Sequence, residues 1–330
     1  MQPQGKGSMA LPLLLILTLL LVAFWLSRSR NSAWAATASS PTPGRIEALQ
    51  RHVDYLAGRI GERHLWRPRQ LEQAAGYIEE QFRAAGCTLH HQTYQVQNQS
   101  VRNLIAEIPG RQRPEEIVVI GAHYDSVIGS PGANDNASGV AALLELARLF
   151  CAAAPGRTLR LVAFVNEEPP FFQTAEMGSL VYAQAARAKG ERIVAMVSLE
   201  TIGYYSQVEG SQSFPFPPLR LIYPTRGNFL AFVGNLPSRK LLQQALAAFR
   251  RNTPFPAQGL VAPEWLVGVN WSDHWSFWRQ GYPAIMVTDT APFRYPHYHA
   301  ATDTPERLDY DALARVTEGL AAMVAALCND

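Results

Sequence analysis

The sequence predicts an α/β fold in which helices cover both faces of a mostly parallel sheet, and three observations carry that reading. Strand-like and helical stretches alternate along most of the chain, the order expected of parallel strands joined by crossover helices. Two strand-like runs, Ile117-Val118-Val119-Ile120 and residues 159–165, are almost wholly apolar, as strands buried on both faces must be. The last helical stretch places Leu313, Val316, Leu320, Met323, Val324 and Leu327 on one side, an apolar stripe suited to packing on a sheet.

Residues 9–26 carry no charge; Lys6 precedes them, and Arg28 and Arg30 follow. No polar face recurs on a helical period, so this run reads as a signal peptide or a membrane anchor rather than a core helix. Its length is at the lower edge for a span, since a ~30 Å hydrocarbon core needs about 20 apolar residues. Ala33-Trp34-Ala35 is a small-x-small cleavage pattern, whereas arginines directly after the run are unusual for a cleaved signal. Either reading places the rest of the protein outside the cytoplasm, in a periplasmic, secreted or membrane-anchored position, although those arginines alone favour holding their end inside. A Ser/Ala/Thr/Pro-rich linker extends to Pro43, so residues 1–43 form a targeting or anchoring segment and 44–330 read as one domain.

Within that domain, amphipathic helices are expected at 46–56 and 71–85, the second stopped by Gly86. Strands at 104–108 and 117–120, a helix at 138–150, a strand at 159–165, a helix at 177–188 and a strand at 193–199 follow. Lys+Arg total 29 against 27 Asp+Glu, with no basic block, which argues against nucleic acid as a partner. The three cysteines have no CxxC spacing, which excludes a cysteine-based zinc site. Their odd number allows at most one internal bridge, for example Cys87 with Cys328, in an oxidising compartment.

Ligands of such sheets sit beyond the carboxyl ends of the strands, and three strand ends carry unusual chemistry. The first runs into His123-Tyr124-Asp125, followed by a Gly/Pro loop to Asn134-Asp135-Asn136. Period-two alternation points His123 and Asp125 to one side, where a carboxylate can fix the tautomer of a metal-bound imidazole. The next strand ends at Glu167-Glu168, adjacent acids that are costly to bury without a cation or a shared proton. The third ends at Glu200. Nitrogen and carboxylate ligands without thiolate suit zinc, with cobalt or manganese conceivable. A last histidine is available in Tyr295-Pro296-His297-Tyr298-His299, ahead of the final helix.

Together these motifs resemble the M28 family of zinc peptidases, the bacterial leucine-type aminopeptidases and their relatives, in which two zinc ions share a bridging aspartate. The resemblance covers most of 44–330 and rests on five motifs in the family's order. It implies a three-layer αβα zinc-exopeptidase-like fold with a mostly parallel mixed sheet, two Zn2+ per chain and a peptide substrate. By the same resemblance His123 and Glu200 hold one zinc, Glu168 and His299 hold the other, and Asp135 bridges them. Glu167 is then the general base, and Tyr298 is the phenol that bonds the developing oxyanion. His299 is preferred to His297 because Asp303-Thr304 follow it at the family's distance. A cis peptide is expected at Asp135–Asn136.

The sequence departs from the family in two places. Glu200 stands where most relatives have Asp, and an insertion, Pro169-Pro170-Phe171-Phe172-Gln173, separates the paired acids from Met177-Gly178-Ser179; the insertion is expected to shape the substrate pocket. The aromatic stretch 271–278 reads as pocket wall, with His274 structural, and 204–218 as an irregular loop near the site. The leading function is an aminopeptidase. A carboxypeptidase, a glutaminyl cyclase-like enzyme and a non-catalytic receptor-type ectodomain are the alternatives. Retention of His123 argues against the cyclase, and the complete ligand set with Glu167 argues against the receptor. The sequence is silent on oligomeric state.

Overall fold

The computed structural model describes residues 41–330. The apolar run at 9–26 lies outside them, and among the described residues no helix is long and apolar enough to cross a membrane. Helix α1 (Arg45–Val53) buries Leu49 and Val53 and continues through widened turns to Ile60. Helix α2 (Pro68–Ala84) starts three residues earlier than its periodicity indicates, because Pro68 is suited to a first turn. Leu71, Ala74, Ile78 and Phe82 form its buried face.

Strand β1 (Thr88–Val96) is missing from the sequence reading because it is polar, with His90, His91, Gln92 and Thr93 in succession. It is an edge strand and pairs antiparallel with β2 (Gln99–Ile108). The two residues between them, Gln97 and Asn98, have φ of 47° and 64°, the left-handed pair that a tight hairpin requires. β3 (Arg113–His123), β4 (Arg157–Phe164) and β5 (Arg192–Glu200) form the centre of the sheet, with β3 parallel to both neighbours. β6 (Leu230–Gly234), β7 (Ala257–Val261) and β8 (Ala284–Thr288) complete an eight-stranded sheet of order β1-β2-β4-β3-β5-β8-β6-β7. These last strands have five residues each, too few for an alternation pattern to stand out.

Alternate residues of β3 serve opposite cores. Val118, Ile120 and Ala122 join the core under α1, α2, α3 (Gly139–Phe150), α5 (Arg239–Asn252) and α7 (Tyr310–Asn329). Ile117 and Val119 join the one under α4 (Gly178–Ala188) and α6 (His274–Arg279). Three layers result, with the apolar stripe of α7 on the sheet as its periodicity predicts. Gly121 lets the Phe164 ring cross β3, since a Cβ there would lie 2.3 Å from that ring.

Strand order fixes the position of the site. The chain leaves β3 for β4 on one side and returns past it to β5 on the other, so a crevice opens at the carboxyl end of β3. His123, Glu200 and the residues after Phe164 all emerge there.

The disulfide joins Cys87 to Cys151, not to Cys328, which is a buried free thiol. Cys87 follows α2 and Cys151 closes α3, so the bridge ties two helices of one layer where their ends meet. Closing a 64-residue separation is worth about 4 kcal/mol in the chain-entropy model. Replacing both cysteines by serine should therefore lower unfolding stability in denaturant titration by roughly 2–4 kcal/mol, with the fold retained in far-UV circular dichroism.

Candidate metal centre

Five chain segments converge on the crevice and bring their functional side chains together there. His123 ends β3. Asp135 lies in an irregular turn, Ala133–Ser138, whose Asp135–Asn136 peptide is cis. The Asp303 carboxylate accepts the backbone N–H of Asn134 at 2.9 Å and of Asp135 at 3.1 Å, and the Tyr295 hydroxyl at 2.8 Å. The Asn136 amide donates to Leu199 O at 2.8 Å and accepts from the N–H groups of Gly139 and Thr201, both at 3.1 Å. The turn bearing Asp135 is thereby fixed to the end of β5 and to the loop before α7.

Glu167 and Glu168 follow β4, and the Asp125 carboxylate accepts both of their backbone N–H groups at 3.2 Å. Glu168 Oε1 accepts from Val127 N at 3.0 Å, leaving Oε2 for the crevice. Glu200 Oε2 accepts the Ser272 hydroxyl at 2.7 Å, which also pairs with Ser198 at 2.7 Å. His299 has a left-handed backbone, φ 55°, and its ring stacks on Tyr298 with centroids 3.9 Å apart.

Asp135 offers one oxygen to each imidazole. Its Oδ1 is 3.2 Å from His123 Nε2, and its Oδ2 is 3.1 Å from His299 Nε2. Glu200 Oε2 lies 3.4 Å from His123 Nε2, and Glu168 Oε2 lies 3.2 Å from His299 Nε2. Two ligands bound at 2.0–2.1 Å in tetrahedral geometry stand roughly 3.3 Å apart, close to all four distances. His123, Asp135 and Glu200 thus form one ligand-competent group, and Asp135, Glu168 and His299 a second. Glu167 belongs to neither, and its Oε2 is 3.9 Å from His123 Nε2.

Hydrogen bonding distinguishes this arrangement from plain ion pairing. His123 Nδ1 faces the Asp125 carbonyl oxygen at 3.2 Å; donating there leaves Nε2 as a lone pair. That Nε2 and Asp135 Oδ1 are buried without a hydrogen-bond partner, and a cation between them, a metal ion or a proton on the ring, would satisfy both. The charges agree. Burial pushes the Glu167 carboxyl well above its usual range, lifts Glu168 to about 7 and also raises Glu200. Burial alone would lower His123, yet Glu200 and Glu167 lift it well above an ordinary imidazole. Burial also opposes the charge on Asp135, but His123 and His299 hold it below a normal aspartate. The cluster gathers protons wherever metal charge is absent.

Several expectations from the sequence find their place in this geometry. His297 bonds Thr302 at 2.8 Å, while His299 is the histidine that meets the carboxylates. His274 is structural: it bonds Val269 O at 2.8 Å, stacks edge-on against Trp278, and burial lowers it to about 4. Asp125 stands beside His123 as expected, its Oδ1 3.6 Å from the ring Nδ1, and it has a second part. Its carbonyl oxygen meets the His123 ring, and its carboxylate holds the backbone of the paired acids, because that chain turn presents two N–H groups to it.

An apolar pocket of about 840 Å³, including its open mouth, adjoins Glu200; Phe229, Val233, Leu260, Met286, Trp271 and Tyr298 are among its walls. The insertion 169–173 shapes it only from behind. Phe171 stacks on Trp66, and Gln173 donates to Asn270 O at 3.2 Å, bracing the wall that carries Trp271. The loop 204–218 supplies Gln212, Ser213, Phe214 and Pro215 to the same pocket. Sequence reasoning read Ser272 and Asp273 only as part of the pocket wall, whereas both are fully buried and Ser272 bonds Glu200, and it used Asp303 only to set a register. Acids and serines in polar stretches carry no mark of burial before the fold is known.

Over residues 103–324 the chain matches the model of peptidase family M28. It is 38% identical over 298 residues to the uncharacterized protein YfbL of Escherichia coli (strain K12), covering 88% of this chain and 90% of that protein. It is 30% identical over 223 residues to a probable leucine aminopeptidase of Trichophyton verrucosum, covering 63% of this chain and about half, 52%, of the fungal protein. Among solved structures, a zinc aminopeptidase from Bacillus subtilis superposes with a TM-score of 0.69 at 15% identity, covering 87% of this chain and 96% of that one. A glutaminyl cyclase from Fimbriiglobus ruber gives 0.62 at 18% identity, covering 89% and 99%; at these identities both likenesses speak for the fold. A family model matched over more than half of the chain, on the sheet whose edge gathers these histidines and carboxylates, establishes the chain as a member of peptidase family M28, the zinc peptidases.

Proposed function

We propose that this chain is a di-zinc aminopeptidase that removes N-terminal residues from peptides. One observation carries the reading: Asp135 presents its two oxygens to two different imidazoles, each flanked by its own carboxylate. His123, Asp135 and Glu200 would hold one zinc, and Asp135, Glu168 and His299 the other. Glu200 in place of the commoner Asp is accommodated by Ser272, which fixes the carboxylate of the longer side chain toward His123. Bound zinc makes a water acidic near neutrality and polarises the scissile carbonyl.

Glu167 is the general base. Its carboxylate is free of the two ligand groups, and burial makes it a strong enough base to take a proton from the attacking water. The water oxygen bonds the carbonyl carbon, the carbon–nitrogen bond then breaks, and Glu167 returns the proton to the leaving amine. Tyr298 stacks on His299 and lines the pocket. Burial, reinforced by Asp135 and Glu168, raises its phenol far above neutral pH, so it stays a hydrogen-bond donor for the developing oxyanion.

Charge supports an amino rather than a carboxyl terminus as the group bound. Among the described residues, those lining the pocket include neither Lys nor Arg, the side chains that would pair with a carboxylate terminus. The Cys87–Cys151 bridge and the apolar run at 9–26 support a location outside the cytoplasm.

Three outcomes follow. Peptides with a free N-terminus and an apolar first residue should release that residue, and N-acetylated versions of the same peptides should be inert, as followed by amino-acid chromatography; equal cleavage of both would refute the aminopeptidase reading. Glu167→Gln should retain its zinc in elemental analysis while kcat falls by roughly 10²–10⁴-fold. Asp135→Ala should instead lose zinc from both positions, leaving well under one ion per chain.

A further inference from the structure

Arg63 stands out among the buried groups that the mechanism leaves unused. It is 0% exposed, which is rare for an arginine not paired with an acid, and its side chain bonds carbonyl oxygens instead. Nε donates to Tyr124 O at 2.7 Å, and Nη2 donates to Gly132 O at 2.9 Å. Nη1 donates to Pro131 O at 2.5 Å and to Gly61 O at 3.2 Å. Its main chain adds two ties: Arg63 N donates to Ser126 Oγ at 3.1 Å, and Ser126 N donates to Arg63 O at 2.9 Å.

Apart from Gly61 O and a longer contact of Nη1 with Leu56 O at 3.5 Å, these contacts fall on residues 124–132, the segment between His123 and Asp135 that also carries Asp125. The fork therefore spans both ends of the loop, from the residue after His123 to the glycine before the Asp135 turn. Gly132 shows how close the approach is. Its φ is 63°, and a Cβ there would come within 2.4 Å of Asp135 O and 3.2 Å of Arg63 Nη2. The guanidinium is also a charge. Burial draws it down to about 10, and Asp125, Asp303, Asp135 and Glu168 hold it up, so at neutral pH it is a fixed cation beneath the acidic cluster.

We infer that Arg63 is a positioning residue that holds the 124–135 loop in its zinc-binding shape before any metal arrives and offsets part of the acids' mutual repulsion there. The inference rests on the zinc reading above. Without this bracket, zinc itself has to order the loop, and the ordering cost is subtracted from its affinity. A partner that orients ligands from behind typically changes metal affinity by about 10–100-fold. Arginine is required because one planar fork reaches carbonyls in different directions, whereas a lysine keeps the charge but loses the fork.

The test measures zinc affinity on the full chain by competition with a chromophoric chelator, for wild type, Arg63→Lys and Arg63→Met. The double variant Cys87→Ser/Cys151→Ser serves as the control for general destabilisation, since that bridge lies at helix ends away from the loop. Arg63→Lys is expected to weaken zinc binding about tenfold and Arg63→Met about 100-fold, with the control at wild-type affinity. In the metal-free protein, amide exchange at 124–135 should be faster in both Arg63 variants while the sheet core keeps its protection. Wild-type zinc affinity in Arg63→Met, or a loss no larger than in the control, would overturn the inference. Should Arg63→Met fail to fold, Arg63→Lys decides by the same comparison. Should the wild-type chain take up no zinc, the functional reading fails separately, and unchanged loop exchange in Arg63→Lys would overturn the positioning role.

Discussion

The whole site depends on one electrostatic constraint: Asp135, Glu167, Glu168 and Glu200 converge with little exposure on two imidazoles. Negative charge at that density cannot persist in a protein interior without compensation. The cluster has two ways to obtain it, protons or metal ions. The orphaned pair, His123 Nε2 and Asp135 Oδ1, is a place where one divalent cation can bond both atoms. Features around the site can be understood as ways of holding like charges together until that cation is bound.

The backbone bears part of the cost. Asn166, Thr201 and His299 all have positive φ, at 58°, 46° and 55°, a conformation that costs a non-glycine residue of order 1–3 kcal/mol. Each lies at or beside a functional side chain: Asn166 precedes Glu167, Thr201 follows Glu200, and His299 is itself a candidate ligand. The strain bends the chain sharply as it leaves the strand ends and aims carboxylates back into the crevice. Neighbouring groups hold two of these turns, Asp125 the paired acids after Asn166 and Asn136 the backbone of Thr201, and Asp303 in the same way holds the turn of Asp135. The large apolar cores under the sheet absorb what the site costs.

Legibility in the sequence followed physical contrast. The central strands announced themselves because burial on both faces makes them uniformly apolar, and each ends in a charged residue that has no place in such a run. That contrast made His123, Glu168 and Glu200 readable, and the order of the motifs brought in Asp135 and His299. β1 escaped because an edge strand tolerates polar residues on both sides, and β6, β7 and β8 because five residues are too few for a pattern. The disulfide partner of Cys87 depends on where two helix ends meet, which spacing does not encode. Arg63 was invisible for the same reason in a sharper form. Glu62-Arg63-His64 reads as solvated surface, and only the folded loop reveals carbonyl groups converging on that guanidinium.

The account stands or falls on two cations sharing Asp135. Crystals of the chain grown with zinc and measured on both sides of the zinc absorption edge test it directly, because anomalous scattering locates each ion without regard to the assigned ligands. The account predicts two peaks, one between His123 and Glu200 and one between His299 and Glu168, each bonded to a different oxygen of Asp135. A single peak, or zinc bound elsewhere with the two imidazoles still in contact with the carboxylates, would contradict it.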